Sequence, residues 1–387
     1  MTIYQLLGRE NIYGIIEQTL KEYYSEVHGI NADVRLSRNR FRNAFVVYPR
    51  IGVIISRTPT WSVMKHVYAD FNVQGSIMRK FIAWSYITLC WCTFGLLGSR
   101  SLYISDKSVL HRNISIMPCN RKIRIFDFTK GYVDAILKVG YPDNYLKKEI
   151  DARTRLKYQF IPGIEKTGER WYREVVLDGS GLVRTSPDKY EKYCNNVIDD
   201  IHQLYIDYGY EISADDYVKR IETDLQNGFN QLSIVKNVTD LSYLKGIEKC
   251  CLDLLKDSKM SIPITLSHGD LQTGNIIVDD KNGRVTIYDW ETFGERSIWF
   301  DCSRLLLFSA RKEKFIYMAM NFNKEVIKDA LLVLDENKNR NMQQVMAVLI
   351  LEDMKYRIDE ILSLPEMIGA GDIAAYENKL KEIAWLN

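Results

Sequence analysis

Residues 267–291, SHGDLQTGNIIVDDKNGRVTIYDWE, decide how the rest of the chain is read. An apolar approach, Ile262 to Leu266, leads into His268, Asp270 and Asn275, spaced H-x-D-x-x-x-x-N. A short β-like run, Asn275 to Val278, meets the turn Asp280-Lys281-Asn282-Gly283, where Gly283 can take the positive φ a tight hairpin needs. A second β-like run, Arg284 to Tyr288, ends on Asp289. The hairpin returns Asp289 to the neighbourhood of Asp270 and Asn275. Two carboxylates and a carboxamide then surround one small volume. Oxygen donors of this kind suit Mg²⁺, a hard cation held by one or two carboxylates together with substrate phosphates. The spacing alone is a modest signal. Its weight comes from the order loop, strand, turn, strand, Asp, which phosphoryl-transfer chemistry requires.

The stretch resembles the catalytic loop and metal-binding hairpin of the aminoglycoside phosphotransferase and choline kinase family, relatives of the protein kinases. That family reads H-G-D-x-x-x-x-N and then I-D-W/F-E; this chain reads HGDLQTGN and IYDWE. The resemblance implies an α+β, two-lobed, protein-kinase-like fold with a small β-rich lobe and a larger, mostly helical one. It implies transfer of the γ-phosphoryl group of ATP or GTP, with Mg²⁺, to a hydroxyl of a small molecule: a sugar, an amino alcohol or an aminoglycoside. Asp270 takes the catalytic place, orienting the acceptor hydroxyl and receiving its proton. Asn275 and Asp289 take the metal places. His268 matches a brace of the loop rather than a base, Glu291 lies on the acceptor side, and Asp301 matches an aspartate that caps a helix and braces the loop.

From Ile114 the pattern is of short strands, ISIM, KIRIFDF and VDAILKV, separated by Pro118 to Arg121 and by Thr129 to Gly131. AILK ends a strand on Lys138, and the helix-like run DNYLKKEIDARTRL carries Glu149. The resemblance implies that Lys138 pairs with Glu149 and reaches the nucleotide phosphates. The first turn, PCNRK, carries no glycine-rich loop, a departure from the protein kinases. WYREVVLDGSGL reads as a strand and hinge in which Glu174, Val175, Val176 and Gly179 match the family's acid, apolar pair and glycine. Main chain there would meet the adenine edge, so Glu174 and Val176 join Lys138 and Glu149 as expected nucleotide contacts.

The expected organisation is an extra α/β N-terminal module over 1–110, a small nucleotide-binding lobe over 111–178, and a catalytic and acceptor-binding lobe over 179–387. Within the module, Ile12, Ile16, Leu20 and Tyr23 mark a helix from about Glu10 to Val27, and Val46 to Ile55 reads as a hairpin around Pro49 to Gly52. Arg38, Arg40 and Arg42 alternate, which on an extended chain puts three guanidinium groups on one face. Phe81 to Gly98 has no charge and sits at the length threshold of a membrane span. Its small and large stripes favour a helix buried in the protein or at a subunit contact, with a membrane-interface helix as the rival. The 52 Lys and Arg nearly balance 50 Asp and Glu, so no nucleic-acid partner is expected. Seven scattered cysteines match neither a zinc site nor a disulfide framework. A cytoplasmic location follows, with peripheral membrane contact as the alternative. The partners are a nucleoside triphosphate and the acceptor. The rival functions are a nucleotide-binding scaffold or a membrane-associated glycan or lipid-linked sugar kinase, and retention of Asp270, Asn275, Asp289 and Lys138 argues against the scaffold.

Overall fold

The computed structural model describes residues 2–29, 31–39, 44–71, 77–105, 111–308, 324–364 and 370–381. They form two compact units, one of residues 1–185 with 277–286, the other of 186–276 with 287–387.

The first unit opens with α1 (Ile3–Leu7), begun by a Thr2–Gln5 capping box, and α2 (Ile12–His28), closed by Gly29 at φ 63°. The apolar spacing of α2 buries Ile12, Ile16, Leu20 and Tyr23, each aliphatic contributing about 1.5–3 kcal/mol of burial. Then come β1 (Val34–Ser37), β2 (Phe45–Tyr48), β3 (Val53–Ser56), α3 (Trp61–Phe71), α4 (Ile77–Cys92) and β4 (Arg100–Ile104). They are followed by β5 (Ile114–Pro118), β6 (Lys122–Asp127), β7 (Tyr132–Leu137), α5 (Asn144–Arg155), β8 (Lys166–Thr167) and β9 (Trp171–Val175). All nine strands join one antiparallel sheet in the order β1-β4-β2-β3-β5-β6-β7-β9-β8. The strands expected in an N-terminal module and those expected in the small lobe are thus continuous, through the β3–β5 pairing of Ile54 with Ile116 and Ile55 with Ser115.

FVVY and VIIS, in β2 and β3, are unbroken apolar runs because both of their faces are covered. Phe45, Val47 and Ile54 pack with the residues of α2. Val46, Tyr48, Val53 and Ile55 pack with Val63, Met64 and Val67 of α3 and with Ile87 and Cys90 of α4. The helix expected over Phe81–Gly98 spans Ile77–Cys92 instead. Of the broad side expected to fill a core, Trp84, Ile87, Trp91 and Phe94, Ile87 is buried and Trp91 packs partly buried, whereas Trp84 and Phe94 are exposed, which corrects half of the expectation. The uncharged run holds more apolar side chains than the one sheet face beneath it can cover. Among the described residues, no helix is long and apolar enough to cross a membrane. Arg40 and Arg42 lie outside the described residues.

Also within the first unit, β10 (Ser180–Gly181) pairs with β13 (Ile276–Asp279), which forms a hairpin with β14 (Arg284–Ile287); residues 277–286 of that hairpin belong to this unit. Gly179 precedes it at φ 129°, and a Cβ there would stand 2.4 Å from the carbonyl oxygen of Val278. Only glycine fits that approach.

The second unit is mostly helical. It contains α6 (Pro187–Tyr208), β11 (Tyr210–Ser213), α7 (Ala214–Val235), α8 (Ser242–Leu255) and β12 (Ser261–Ser267). Beyond the hairpin it resumes with β15 (Gly294–Ser297) and α9 (Ile298–Cys302). Ser213 caps α7 by accepting the Asp216 N–H at 3.1 Å. β12 lies between β11 and β15, both antiparallel to it, and delivers the chain into the catalytic loop. The helix Met342–Leu362 packs against α7 and α8. A β-rich unit and a mostly helical one are the expected α+β arrangement.

Candidate functional site

In the second unit the catalytic loop is held by its own backbone. The two oxygens of buried Asp301 accept the N–H groups of His268, at 2.7 Å, and Gly269, at 3.0 Å. Asp301 therefore braces the loop, but it lies inside α9, whose N-cap is Ser297. The expected capping role is not what it performs. His268 is wholly buried against Trp290, with ring centroids 4.7 Å apart. Its Nδ1 accepts the Asp270 N–H at 3.2 Å, so Nε2 carries the proton and donates to the Tyr288 carbonyl at 2.9 Å. Both ring nitrogens are occupied by main chain, which makes this histidine a brace. Gly269 sits at φ 82°, where a Cβ would meet the Thr292 carbonyl oxygen at 2.6 Å and the Arg296 guanidinium at 2.5 Å.

These braces present Asp270, which remains partly exposed. Gln272 Nε2 donates to its Oδ1 at 2.5 Å and Asn275 Nδ2 to its Oδ2 at 3.3 Å. Asn275 Nδ2 also donates to the Asp270 carbonyl at 2.8 Å. The carboxamide oxygen, not its nitrogen, is thereby the group left to face a cation. The hairpin turns as the sequence implies: Gly283 takes φ 68° and donates its N–H to the Asp279 carbonyl at 2.9 Å. The Tyr288 N–H donates to the Asn275 carbonyl at 3.0 Å, which places Asp289 next in chain to a residue bonded to Asn275. Asp289 itself is left-handed, φ 68° and ψ 52°, a conformation that costs a non-glycine residue about 1–2 kcal/mol and is concentrated at functional sites. A carboxylate and a carboxamide oxygen form a hard donor pair that fits Mg²⁺.

Arg304 has no place in the sequence-based reading. It is buried, with Nη2 3.5 Å from Asp270 Oδ1 and Nη1 3.5 Å from Asp353 Oδ1, and it lies over the Tyr356 ring at 4.2 Å. The signal was present: Arg304 stands three residues after Asp301, the spacing that puts two side chains on one side of a helix. Burial, and then the negative charge of Asp270, push the Tyr356 hydroxyl far above the usual tyrosine range.

In the first unit the expected pairing of Lys138 with Glu149 is not made. Strand alternation explains why. On β7, Ile136 packs into the cluster built on α2, and Asp134 accepts the hydroxyl of Tyr23 from that helix. Lys138 continues the same side: its Nζ reaches Glu10 Oε1 at 2.5 Å and the Asn120 carbonyl at 2.8 Å. Burial draws its pKa below the ordinary lysine value even against Glu10. Tyr141 donates to the other Glu10 oxygen at 2.5 Å. The opposite face belongs to Ala135, Leu137 and the residues registered with them. Lys122 on β6 is opposite Leu137, and its Nζ meets Glu149 Oε2 at 2.6 Å. Glu149 Oε1 also accepts the Tyr172 hydroxyl at 2.8 Å and lies 3.4 Å from Arg153 Nη1. Glu174 is bound by Arg153 Nη2 at 2.6 Å, so its carboxylate faces α5. The Val176 N–H is spent on the Gly131 carbonyl at 2.9 Å. Lys122, the first residue of the strand KIRIFD, was findable by the same parity count.

Taken unit by unit, these are the parts that phosphoryl transfer calls for: a braced aspartate beside a carboxamide and a second carboxylate, and a buried lysine–glutamate pair on a strand and the helix after the sheet's hairpins. The comparisons agree with the family resemblance. Residues 216–323 match the profile of the phosphotransferase enzyme family, a span that contains the catalytic loop and hairpin. No curated protein matches the sequence. Among solved structures, an ethanolamine kinase of Plasmodium vivax is 13% identical with a TM-score of 0.44, over 84% of this chain and 93% of its own. A choline kinase of Cryptosporidium parvum is 14% identical with a TM-score of 0.45, over 72% and 91%. The streptomycin–ATP complex of APH(2")-IIa is 17% identical with a TM-score of 0.40, over 60% and 89%.

Proposed function

We propose that the protein transfers the γ-phosphoryl group of ATP or GTP to a hydroxyl of a small molecule. The observation that carries this reading is the presentation of Asp270 by a loop in which His268, the Gly269 N–H and Asn275 are engaged in bracing it. Asp270 would accept a hydrogen bond from the acceptor hydroxyl, align its oxygen for in-line attack and take its proton as the bond to phosphorus forms. Asn275 and Asp289 would hold Mg²⁺. When bound, that ion supplies charge neutralisation to the phosphates. Arg304 fixes the Asp270 carboxylate from the side opposite the solvent.

In the first unit, Lys122 is the cation suited to the nucleotide phosphates. Glu149 holds its ammonium in place, and Arg153 and Tyr172 hold Glu149. Lys138, committed to Glu10, takes a structural part. Main-chain groups of the segment after Val175 would meet the base, with the Val176 N–H excluded by its bond to Gly131. The acceptor class is a sugar, an amino alcohol or an aminoglycoside.

A transfer and hydrolysis screen with ATP and GTP against these three acceptor classes tests the proposal. Acceptor-dependent release of nucleoside diphosphate, abolished by Asp270→Asn, is expected. Nucleotide binding without transfer or hydrolysis under any acceptor would identify a scaffold instead.

A further inference from the structure

We propose that the outward face of α4 and the turn after it docks on an anionic lipid surface. Two observations support this. The first is charge. Residues 34–105 contain ten arginines and lysines and a single acid, Asp70, although the whole chain holds 52 against 50. Such a segmental imbalance is the signature of a polyanionic or membrane partner.

The second is an apolar face that the fold does not cover. Phe81, Ile82 and Leu89 recur at helical spacing on α4. With Trp84, with Phe94 in the following turn and with Trp61 of α3, each is more than half exposed. The helix is not loosely attached, since its other side packs on β2 and β3 through Ile87 and Cys90. The Tyr48 hydroxyl donates to the Cys90 carbonyl at 3.0 Å, and the Tyr68 and Thr88 hydroxyls bond at 2.9 Å. The exposed side is therefore a fixed feature of the folded unit. Single exposed apolar residues are ordinary, but a contiguous set on one anchored helix marks an interaction surface.

The chemistry of the rim selects lipid. Tyr68 stacks on Trp84, centroids 6.1 Å apart, and Trp61 lies 5.8 Å from Trp91. Tryptophan and tyrosine favour the headgroup level, where one end is apolar and the other wet. Lys65 is exposed on α3 between Trp61 and Tyr68, and Arg57 donates to the Phe94 carbonyl at 2.9 Å. Apolar tips bordered by tryptophan, tyrosine and cations are the pattern of a helix lying in the interface plane. Nucleic acid would meet the cations but gain nothing from Ile82 and Leu89. A lipid-bound protein of this build rests on the surface; among the described residues no helix is long and apolar enough to cross it.

Flotation of the purified full-length protein with vesicles tests this. Phosphatidylcholine vesicles containing phosphatidylglycerol should carry the protein upward at low salt, while pure phosphatidylcholine should carry little. Added salt should release it. Phe81→Ser combined with Trp84→Ser should abolish flotation with an unchanged thermal melt. Lys65→Glu should weaken partition roughly fivefold or more. Absence of flotation on the anionic vesicles would overturn the proposal, as would flotation that survives the double substitution. A concentration-dependent dimer in sedimentation that the double substitution dissociates would assign the face to a second copy of the chain and equally overturn it. None of these readouts depends on phosphotransferase activity.

Discussion

Lys122 and Lys138 are neighbours in one sheet, yet they belong to opposite faces of it. The Lys138 N–H donates to the carbonyl of Arg121, one residue from Lys122, and strand alternation sends the two ammonium groups apart. Lys138 goes toward α2 and is consumed by Glu10 and the Asn120 carbonyl. Lys122 goes toward α5 and meets Glu149. The anions differ as well. Glu149 has two further partners, Arg153 and Tyr172, whereas Glu10 has Tyr141. A buried carboxylate with several donors survives the loss of one; a carboxylate that relies on a single cation does not. One face is therefore built to offer a lysine to a ligand, and the other to tie the N-terminal helices to the sheet.

The largest expected effect lies outside both faces and sets the scale for them. Asp270→Asn should lower kcat by about 10²- to 10⁴-fold while nucleotide affinity stays within about threefold, because Asp270 acts on the acceptor. Steady-state kinetics and nucleotide titration check this together; a variant with full turnover would remove Asp270 from the mechanism and leave the lysine comparison without a reaction to serve.

Next in size is the structural face. Lys138→Met should destabilise the protein by about 3–5 kcal/mol in denaturant unfolding, the cost of leaving a buried partner charge unpaired. Adding Glu10→Gln should recover much of that loss. A Lys138→Met protein as stable as the parent would show that the buried pair contributes nothing to tying α2 down.

The smallest effect concerns pH. Glu352 accepts the Ser297 N–H and hydroxyl, both at 2.7 Å, and burial pushes its pKa up to about 7. A folded-state pKa above the unfolded value means that the folded protein binds the proton more tightly. The stability this group contributes is complete below the ordinary carboxylate range and is lost as pH rises through about 7. Glu352→Gln, neutral throughout, should therefore gain about 3 kcal/mol on the parent between acid and mildly alkaline pH. Parallel stability curves for the two proteins would contradict the assignment. Unlike Glu149, which is paired with Lys122, Arg153 and Tyr172, Glu352 takes its hydrogen bonds from Ser297.

Sequence alone carried local features well and non-local ones poorly. The α2 helix, the β2–β3 hairpin, the three strands β5 to β7 and the catalytic hairpin all follow from periodicity, caps and turn residues within a short window. The gathering of His268, Asp270 and Asn275 in one loop was legible because it depends on spacing within eight residues. The pairing of β3 with β5 was not, since more than fifty residues intervene between the two strands and nothing local specifies that neighbour. The choice between two lysines failed for a different reason. A strand's end does not announce which face its last residue takes, and a shift of one residue reverses every side chain. Counting from the apolar set Ile123, Ile125 and Ile136 on the α2 face would have put Lys138 with them and Lys122 against them. The exposure of α4 was hidden because an uncharged run reads alike whether a core or another surface covers it.

Nucleotide titration of Lys122→Met beside Lys138→Met tests the account most directly, with Mg²⁺ and whichever of ATP or GTP supports transfer. Loss of a charge-assisted contact to phosphate should weaken binding by roughly tenfold or more in Lys122→Met, with its melting temperature near the parent's because Arg153 and Tyr172 still hold Glu149. Lys138→Met should melt lower and, while folded, bind the nucleotide as the parent does. The reverse pattern, parental affinity in Lys122→Met and lost affinity in folded Lys138→Met, would contradict the assignment of the two faces.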